Sequence, residues 1–175
     1  RHLVPFGEYL PFRSVLGAVL DFLKIPMSSF SAGALAQTGI TAQGLPVGVS
    51  ICYEDAYASE VGRALPEAAL LVNLSNDAWF GTSVAPPQHL QIARMRAIEA
   101  SRYLVRATNN GISAVLNQHG VEIARIDQFM KDTATASVVP LAGRTPFTRF
   151  GNALVLLLSL GVLAAGFSAA RRARR

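Results

Sequence analysis

The chain has one obvious candidate nucleophile, because Cys52 is its single cysteine. Cys52 ends an apolar run, LPVGVSIC at 45–52, and polar residues begin with Tyr53 and Glu54. Catalytic side chains of α/β proteins are often presented at the ends of strands. A thiol is mostly protonated at neutral pH, so covalent chemistry here requires a neighbouring base or cation. The alternative is that Cys52 is a small buried hydrophobe.

Carboxylates and imidazoles are the candidate bases for this thiol. Glu54 would share a face with Cys52 if the strand continued, or it would be an N-terminal charge on the following helix. Glu8 lies in PFGEY at 5–9, where apolar neighbours would bury it partly and suit it for proton transfer; otherwise it is a solvated loop residue. Spacing favours none of the histidines as the partner in a cysteine–histidine pair. These histidines are His2, His89 and His119.

A polar loop that ends in glycine, NDAWFG at 76–81, carries the only tryptophan. It follows a second apolar run, ALLVNLS at 69–75. Loops at such positions often contact substrates, so Trp79 and Phe80 are candidate binding residues. A rigid turn is the alternative.

Alternating strands and helices must position these residues. The runs at 45–52 and 69–75 predict strands, and 56–65 predicts a helix between them. A longer helix is predicted over 87–102, with proline in its first turn and a stripe formed by Leu90, Ala93, Ala97 and Ile98. Further strands are predicted at 103–108, 112–118, 121–126 and 134–139. This order indicates an α/β fold.

Composition excludes several classes of protein. The 175 residues suit one domain, and 51% hydrophobic against 15% charged residues excludes a disordered chain. A lone cysteine excludes a disulfide scaffold, and three scattered histidines exclude a structural zinc module. Four of the 16 basic residues lie in the last five positions, which leaves 12 basic against 11 acidic residues elsewhere. The chain therefore has no basic face for nucleic acid, and no nucleic-acid partner is expected.

The C-terminal region predicts a membrane anchor. Residues 151–170 are uncharged and long enough to form a transmembrane helix, with a buried core helix as the alternative. The arginine-rich tail at 171–175 should stay in the cytoplasm, which places the body of the chain in the periplasm of a bacterium. We expect a catalytic domain over 1–140 and a linker over 141–150. The start of the chain has neither an initiator methionine nor the features of a secretory signal, so the C-terminal part of a longer protein is expected.

Five ordered segments resemble the apolipoprotein N-acyltransferases, a membrane-bound family within the nitrilase superfamily. They are RHLVPFGEYLPF, the ICYE around Cys52, LSNDAWFG at 74–81, QHLQIARMRAIEASRYLVRATNNGISAV at 88–115, and the terminal apolar stretch. The resemblance implies the C-terminal half of a nitrilase-like α-β-β-α sandwich, followed by one transmembrane helix. It also implies a Glu-Lys-Cys triad in place of a histidine base.

By motif, Cys52 matches the family nucleophile, Glu8 an additional glutamate, and Glu54 the glutamate of the Cys-Tyr-Glu motif. The implied substrate-binding residues are Tyr53, Trp79 and Phe80. The implied triad lysine immediately precedes Arg1 and the triad glutamate lies further upstream, so neither belongs to this chain. The two lysines, Lys24 and Lys131, match no catalytic position. Residues 1–175 alone are therefore expected to be inactive.

The chemistry implied by the resemblance is acyl transfer in lipoprotein maturation. A phospholipid acyl donor would acylate Cys52 as a thioester. The α-amine of a diacylglyceryl-modified apolipoprotein would then accept the acyl chain at the bacterial inner membrane. No cofactor and no metal are implied. Two alternatives remain, a carbon-nitrogen hydrolase (amidase) on the same fold and a membrane-tethered fragment without activity.

Overall fold

The computed structural model describes residues 3, 8–9, 12, 31–33 and 39–173. Within them, six strands form one mixed sheet in chain order. The three central strands, β2 to β4, run parallel, and each neighbouring pair outside them is antiparallel. The strands are β1 (Ile40–Ala42), β2 (Leu45–Ile51), β3 (Leu70–Ser75), β4 (Leu104–Thr108), β5 (Ser113–Leu116) and β6 (Glu122–Ile126).

Turn chemistry and crossovers explain this order. β1 and β2 form a hairpin through Gln43 and Gly44, whose φ angles of 49° and 79° are those of a primed turn. Parallel strands require longer crossovers. Three short elements connect β2 to β3: a 3₁₀ turn (Cys52–Ala56), helix α1 (Ala58–Val61) and a second 3₁₀ turn (Gly62–Ala64).

The crossover from β3 to β4 carries the main helix. A 3₁₀ turn (Ala78–Phe80) precedes α2 (Ala85–Ala100), which has prolines in its first turn. Two helices follow the sheet, α3 (Pro146–Phe150) and α4 (Ala153–Ala173). The sequence therefore predicted five strands and the α2 helix to within a few residues.

The core lies between α2 and one face of the sheet. From α2, Leu90, Ala93 and Ala97 are buried against Leu71 and Leu104 of the central strands. The prediction that Ile98 belongs to this stripe is wrong, because its side chain is 43% exposed. Packing against a twisted sheet covers a narrower strip of the helix than its apolar pattern suggests.

Two further predictions of secondary structure are corrected. The helix expected over 56–65 is only one α-helical turn between two 3₁₀ turns, because Gly62 and Pro66 interrupt it. Residues 134–139 form no strand. The stretch ATASVV has only two larger apolar side chains, and Val139 is 53% exposed, so it buries little apolar surface against the sheet.

The segment before the terminal helix contacts the sheet domain. The Leu141 amide donates to the Ala69 carbonyl at 3.2 Å, and Arg102 Nη2 donates to the Gly143 carbonyl at 2.7 Å. Beyond it, Ala153–Arg172 is the one helix in the described part of the chain that is long and apolar enough to cross a membrane. Its mean hydropathy is 2.3, and none of it is buried against the rest of the protein.

Candidate active site

Cys52 occupies a strained backbone position at the carboxyl end of β2. Its φ is 51°, in the left-handed region, and its side chain is half-buried. For a residue other than glycine this conformation costs about 1–3 kcal/mol and persists only where the surroundings hold it. The change of direction ends the strand at Ile51 and aims the residues that follow into the 3₁₀ turn.

Two side chains from other elements hold the carbonyl group of Cys52. Asn73 Nδ2 of β3 donates to this oxygen at 3.1 Å, and His89 Nε2 of α2 lies 3.2 Å from it. Asn73 also donates to Ser50 Oγ at 3.0 Å, and Arg106 donates to Asn73 Oδ1. The register explains this polar row, since Ser50, Asn73 and Arg106 are directly adjacent on three parallel strands.

A buried cluster of four charged side chains lies next to Cys52. The ring nitrogens Nδ1 and Nε2 of His89 each lie 3.1 Å from a carboxylate oxygen, of Asp77 and Asp55 respectively. Arg106 lies 3.0 Å from Asp77 Oδ2 and 3.5 Å from Asp55 Oδ2. All four side chains are at most 5% exposed, so two carboxylates face two cations away from water. A buried cluster balanced in this way satisfies the rule that buried charges are paired.

This environment sets the protonation of two members. Burial lowers the pKa of His89, but hydrogen bonds to Asp55 and Asp77 outweigh it and raise that pKa to about 9. Burial raises the pKa of Asp77, but hydrogen bonds from His89 and Ser75, with the charge of Arg106, lower it to about 2. At neutral pH, His89 is therefore an imidazolium and Asp77 a carboxylate.

The predicted glutamates differ in what surrounds them. The condition under which Glu54 would share a strand face with Cys52 is not met, because β2 ends at Ile51. Glu54 Oε2 instead accepts a hydrogen bond from the Ile51 amide at 2.9 Å, which supports the alternative of a charge at the start of a helical turn. Glu8 lies in a turn and is half-buried.

The predicted binding residues are exposed aromatic side chains near this edge of the sheet. Trp79 is 74% exposed and Phe80 is 37% exposed, both on the 3₁₀ turn that follows β3. Tyr53 is 47% exposed and packs edge-to-face with Tyr57, with ring centroids 6.1 Å apart.

The histidine candidates are now distinguished. His89 contacts the Cys52 carbonyl oxygen and two carboxylates, which is a different role from that of a base paired with the thiol. His119 is exposed in the turn between β5 and β6, and His2 lies outside the described residues. Within the described positions, no group of three or more His, Cys, Asp and Glu is arranged to hold a metal ion.

Sequence reasoning missed most of the charged cluster, although one signal was present. Arg106 is two residues after Leu104 in β4, so the two share a face of the sheet, and that face is the buried one. A buried arginine requires buried acceptors, and Asp77 stood in the loop already singled out. No comparable signal identified Asp55 or Asn73.

These features describe an α/β protein that presents a single cysteine at the carboxyl end of a parallel strand. The family model for carbon-nitrogen hydrolases matches residues 1–146, and the chain belongs to this family. The carbon-nitrogen hydrolase of Helicobacter pylori has the same fold, with a TM-score of 0.51 at 17% identity over 58% of this chain and 43% of its own. The predicted nitrilase-like α/β fold is therefore confirmed.

The sequence relatives are more specific. Apolipoprotein N-acyltransferase of Nitrosomonas europaea is 48% identical over 174 residues, covering 99% of this chain and 35% of its own length. The apolipoprotein N-acyltransferase of Methylococcus capsulatus is 48% identical over 172 residues, which cover 98% of this chain and 34% of that protein's length. The predicted resemblance to this group is confirmed. The chain spans about a third of the length of these relatives.

Proposed function

We propose that the protein to which this chain belongs is an N-acyltransferase of lipoprotein maturation, with Cys52 as the acyl-carrying nucleophile. The observation that carries the proposal is the strained, tertiary-held Cys52 at the end of β2, in a chain 48% identical to proteins named apolipoprotein N-acyltransferase. The candidate span Ala153–Arg172 supports work at a membrane surface, where the acyl donor is a lipid.

The proposed first step acylates the enzyme. A glutamate base, supplied by another part of the protein, takes the Sγ proton, and the thiolate attacks the sn-1 ester carbonyl of a phospholipid. A lysine or backbone N–H groups stabilise the oxyanion. The ester C–O bond then breaks, and the departing lysophospholipid oxygen takes the proton from the base. The acyl chain remains as a thioester on Cys52.

The second step transfers the acyl chain. The α-amine of the N-terminal diacylglyceryl-cysteine of an apolipoprotein attacks the thioester, and the C–S bond breaks. The proton lost by the amine passes through the base to the sulfur, which restores the thiol. Water must be kept out, because it would hydrolyse the thioester.

The remaining candidate residues are assigned supporting roles in this proposal. Glu54 fixes the turn that carries Cys52 through its bond from the Ile51 amide, and Glu8, which is half-buried, assists proton transfer. Tyr53, Trp79 and Phe80 contact the lipid substrates, a role supported by their exposed rings.

We further propose how the chain is divided and oriented. Residues 1–140 form part of the catalytic domain, 141–150 connect it to the membrane, 151–170 span the bacterial inner membrane, and 171–175 form a cytoplasmic tail. Clustered arginines beside a span favour the cytoplasmic side, so the catalytic domain is periplasmic. A reporter enzyme fused after Arg175 should be active only in the cytoplasm, and a periplasmic signal would reverse the orientation.

The function is tested with the complete protein and a phospholipid that carries a labelled sn-1 acyl chain. The wild type should accumulate label on the Cys52 peptide that hydroxylamine releases, as it does from thioesters. Cys52→Ala should abolish both label and transfer, and Cys52→Ser should be nearly inactive. Ser59→Ala, a change of similar size at an exposed residue of α1, is the control.

Normal transfer by Cys52→Ala would end the assignment. Efficient turnover of small soluble amides without an acylated intermediate would favour the amidase alternative. Failure of the complete wild-type protein to react with either substrate would favour a protein without catalytic activity.

A further inference from the structure

We propose that His89, held as an imidazolium between Asp55 and Asp77, is a positioning residue that orients the backbone of the nucleophile Cys52. This proposal rests on the proposed function of Cys52. It assigns His89 no role as a base and no contact with substrate.

The protonation state follows from geometry. A carboxylate oxygen accepts hydrogen bonds and donates none, and each ring nitrogen of His89 lies 3.1 Å from one. Each nitrogen must therefore carry a proton. A ring with two N–H groups has no lone pair free to accept the proton of a thiol, so this arrangement excludes His89 as the base for Cys52.

The same ring reaches the backbone of the nucleophile. His89 Nε2 lies 3.2 Å from the Cys52 carbonyl oxygen, which also accepts from Asn73 Nδ2 at 3.1 Å. The single Nε2–H group is shared between this carbonyl and Asp55 Oδ1, and Asn73 is the second donor, so two separate elements, α2 and β3, contact the carbonyl. Holding this carbonyl constrains ψ of Cys52, and with the left-handed φ of 51° it sets the direction in which the Cα–Cβ bond leaves the backbone.

Charged side chains from three other segments belong to the cluster around the ring. Asp55 comes from the 3₁₀ turn, Asp77 from the segment after β3, and Arg106 from β4. Tyr53 lies beside the ring, with centroids 6.4 Å apart. Asp77 is itself oriented, since Ser75 Oγ donates to its Oδ1 at 2.6 Å. The imidazolium is thus one of two groups, with Asn73, through which the charged cluster reaches the Cys52 carbonyl.

The test uses the complete protein with His89→Gln, and His119→Gln as the matched control at an exposed histidine. Two rates are measured, the acylation of Cys52 by phospholipid and the alkylation of Cys52 by iodoacetamide. Both are followed by mass spectrometry of the peptide that contains Cys52, and both are divided by the amount of folded protein. His89→Gln should lower the acylation rate about 10- to 100-fold, the size expected when a reacting group is misplaced by about 1 Å. The KM for phospholipid should stay within about twofold, and His119→Gln should match the wild type.

Alkylation separates this proposal from the proposed function, because it requires a correctly presented thiol but no acyl transfer. If Cys52 carries no acyl group in the wild type, the proposed function fails while the alkylation rates still test positioning. Below pH 9 the wild type should be alkylated faster than His89→Gln. The ratio of the two rates should fall toward one as the pH rises through about 9, because the wild-type imidazolium then loses a proton.

A second variant covers the case in which His89→Gln does not fold. Asn73→Asp keeps an acceptor for Arg106 but removes the amide donor to the Cys52 carbonyl, and it should lower acylation about tenfold. The wild type alone should show a reversible loss of acylation above pH 9. Acylation within twofold of wild type in the folded variants, or no loss in the wild type above pH 9, would overturn the proposal.

Discussion

Replacing Gly111 by alanine should disturb the charged cluster, although Gly111 is not one of its four members. Gly111 is buried just before β5, and a Cβ there would lie 2.1 Å from Asp77 Oδ2 and 2.7 Å from Asp77 Cβ and Cγ. Real Cβ atoms do not approach so closely, so the Asp77 side chain must move. Its contacts with His89 and Arg106 then lengthen or break.

The expected loss of stability combines two effects. Overpacking a well-packed interior costs about 1–3 kcal/mol, and removing one partner from a buried ion pair costs about 3–5 kcal/mol. The two are not additive, because movement of Asp77 relieves the overlap, so we expect about 3 kcal/mol in total. For a domain of 150–250 residues this lowers the Tm by about 10 °C.

The assay is thermal unfolding of the complete protein in detergent, followed at pH 7. Gly39→Ala is the matched control, because a Cβ at Gly39 would meet no atom within 4 Å. If Gly111→Ala melts within about 2 °C of Gly39→Ala, then Asp77 does not occupy the position that the structure assigns to it, and the account of the cluster is refuted.

Three further outcomes are expected. The pKa of His89 is raised from 6.5 to about 9, so its contribution of about 3 kcal/mol is complete below pH 6.5 and lost as the pH rises through 9. The pKa of Asp77 is lowered from 3.8 to about 2, so its contribution to the free energy of unfolding is present above pH 3.8 and lost as the pH falls through 2. An equal free energy of unfolding at pH 6 and pH 9, measured with denaturant, would contradict the prediction for His89. Leu116→Ala, at a fully buried side chain, should cost about 3 kcal/mol in urea unfolding, whereas Val121→Ala at an exposed site should change stability by less than about 0.5 kcal/mol. Arg102→Met should leave the carbonyls of Ala68 and Gly143 without their donor and speed proteolysis between 141 and 150, and unchanged cleavage would show that this contact does not hold the segment.

Local patterns in the sequence were sufficient to predict most of the elements. The apolar runs at 45–52 and 69–75 became β2 and β3, and the periodic segment at 87–102 became α2. These predictions succeed because the alternation of apolar residues, helical periodicity and turn residues determine secondary structure over only a few neighbouring positions. The motifs around Cys52 and Trp79 were also sufficient to identify the family, because their residue types and order are specific.

Only the tertiary structure decided how the site is built. The carbonyl of Cys52, a residue in the left-handed conformation, contacts Asn73 and His89, which are 21 and 37 residues away in the chain. The sequence left His89 as one of three equal candidates for a base, whereas the fold surrounds it with Asp55 and Asp77. Sheet register and helix packing bring these groups together, and neither is encoded in local residue spacing. The sequence thus predicted which residues could take part in chemistry, whereas the protonation of His89 and the orientation of Cys52 follow from contacts between distant segments.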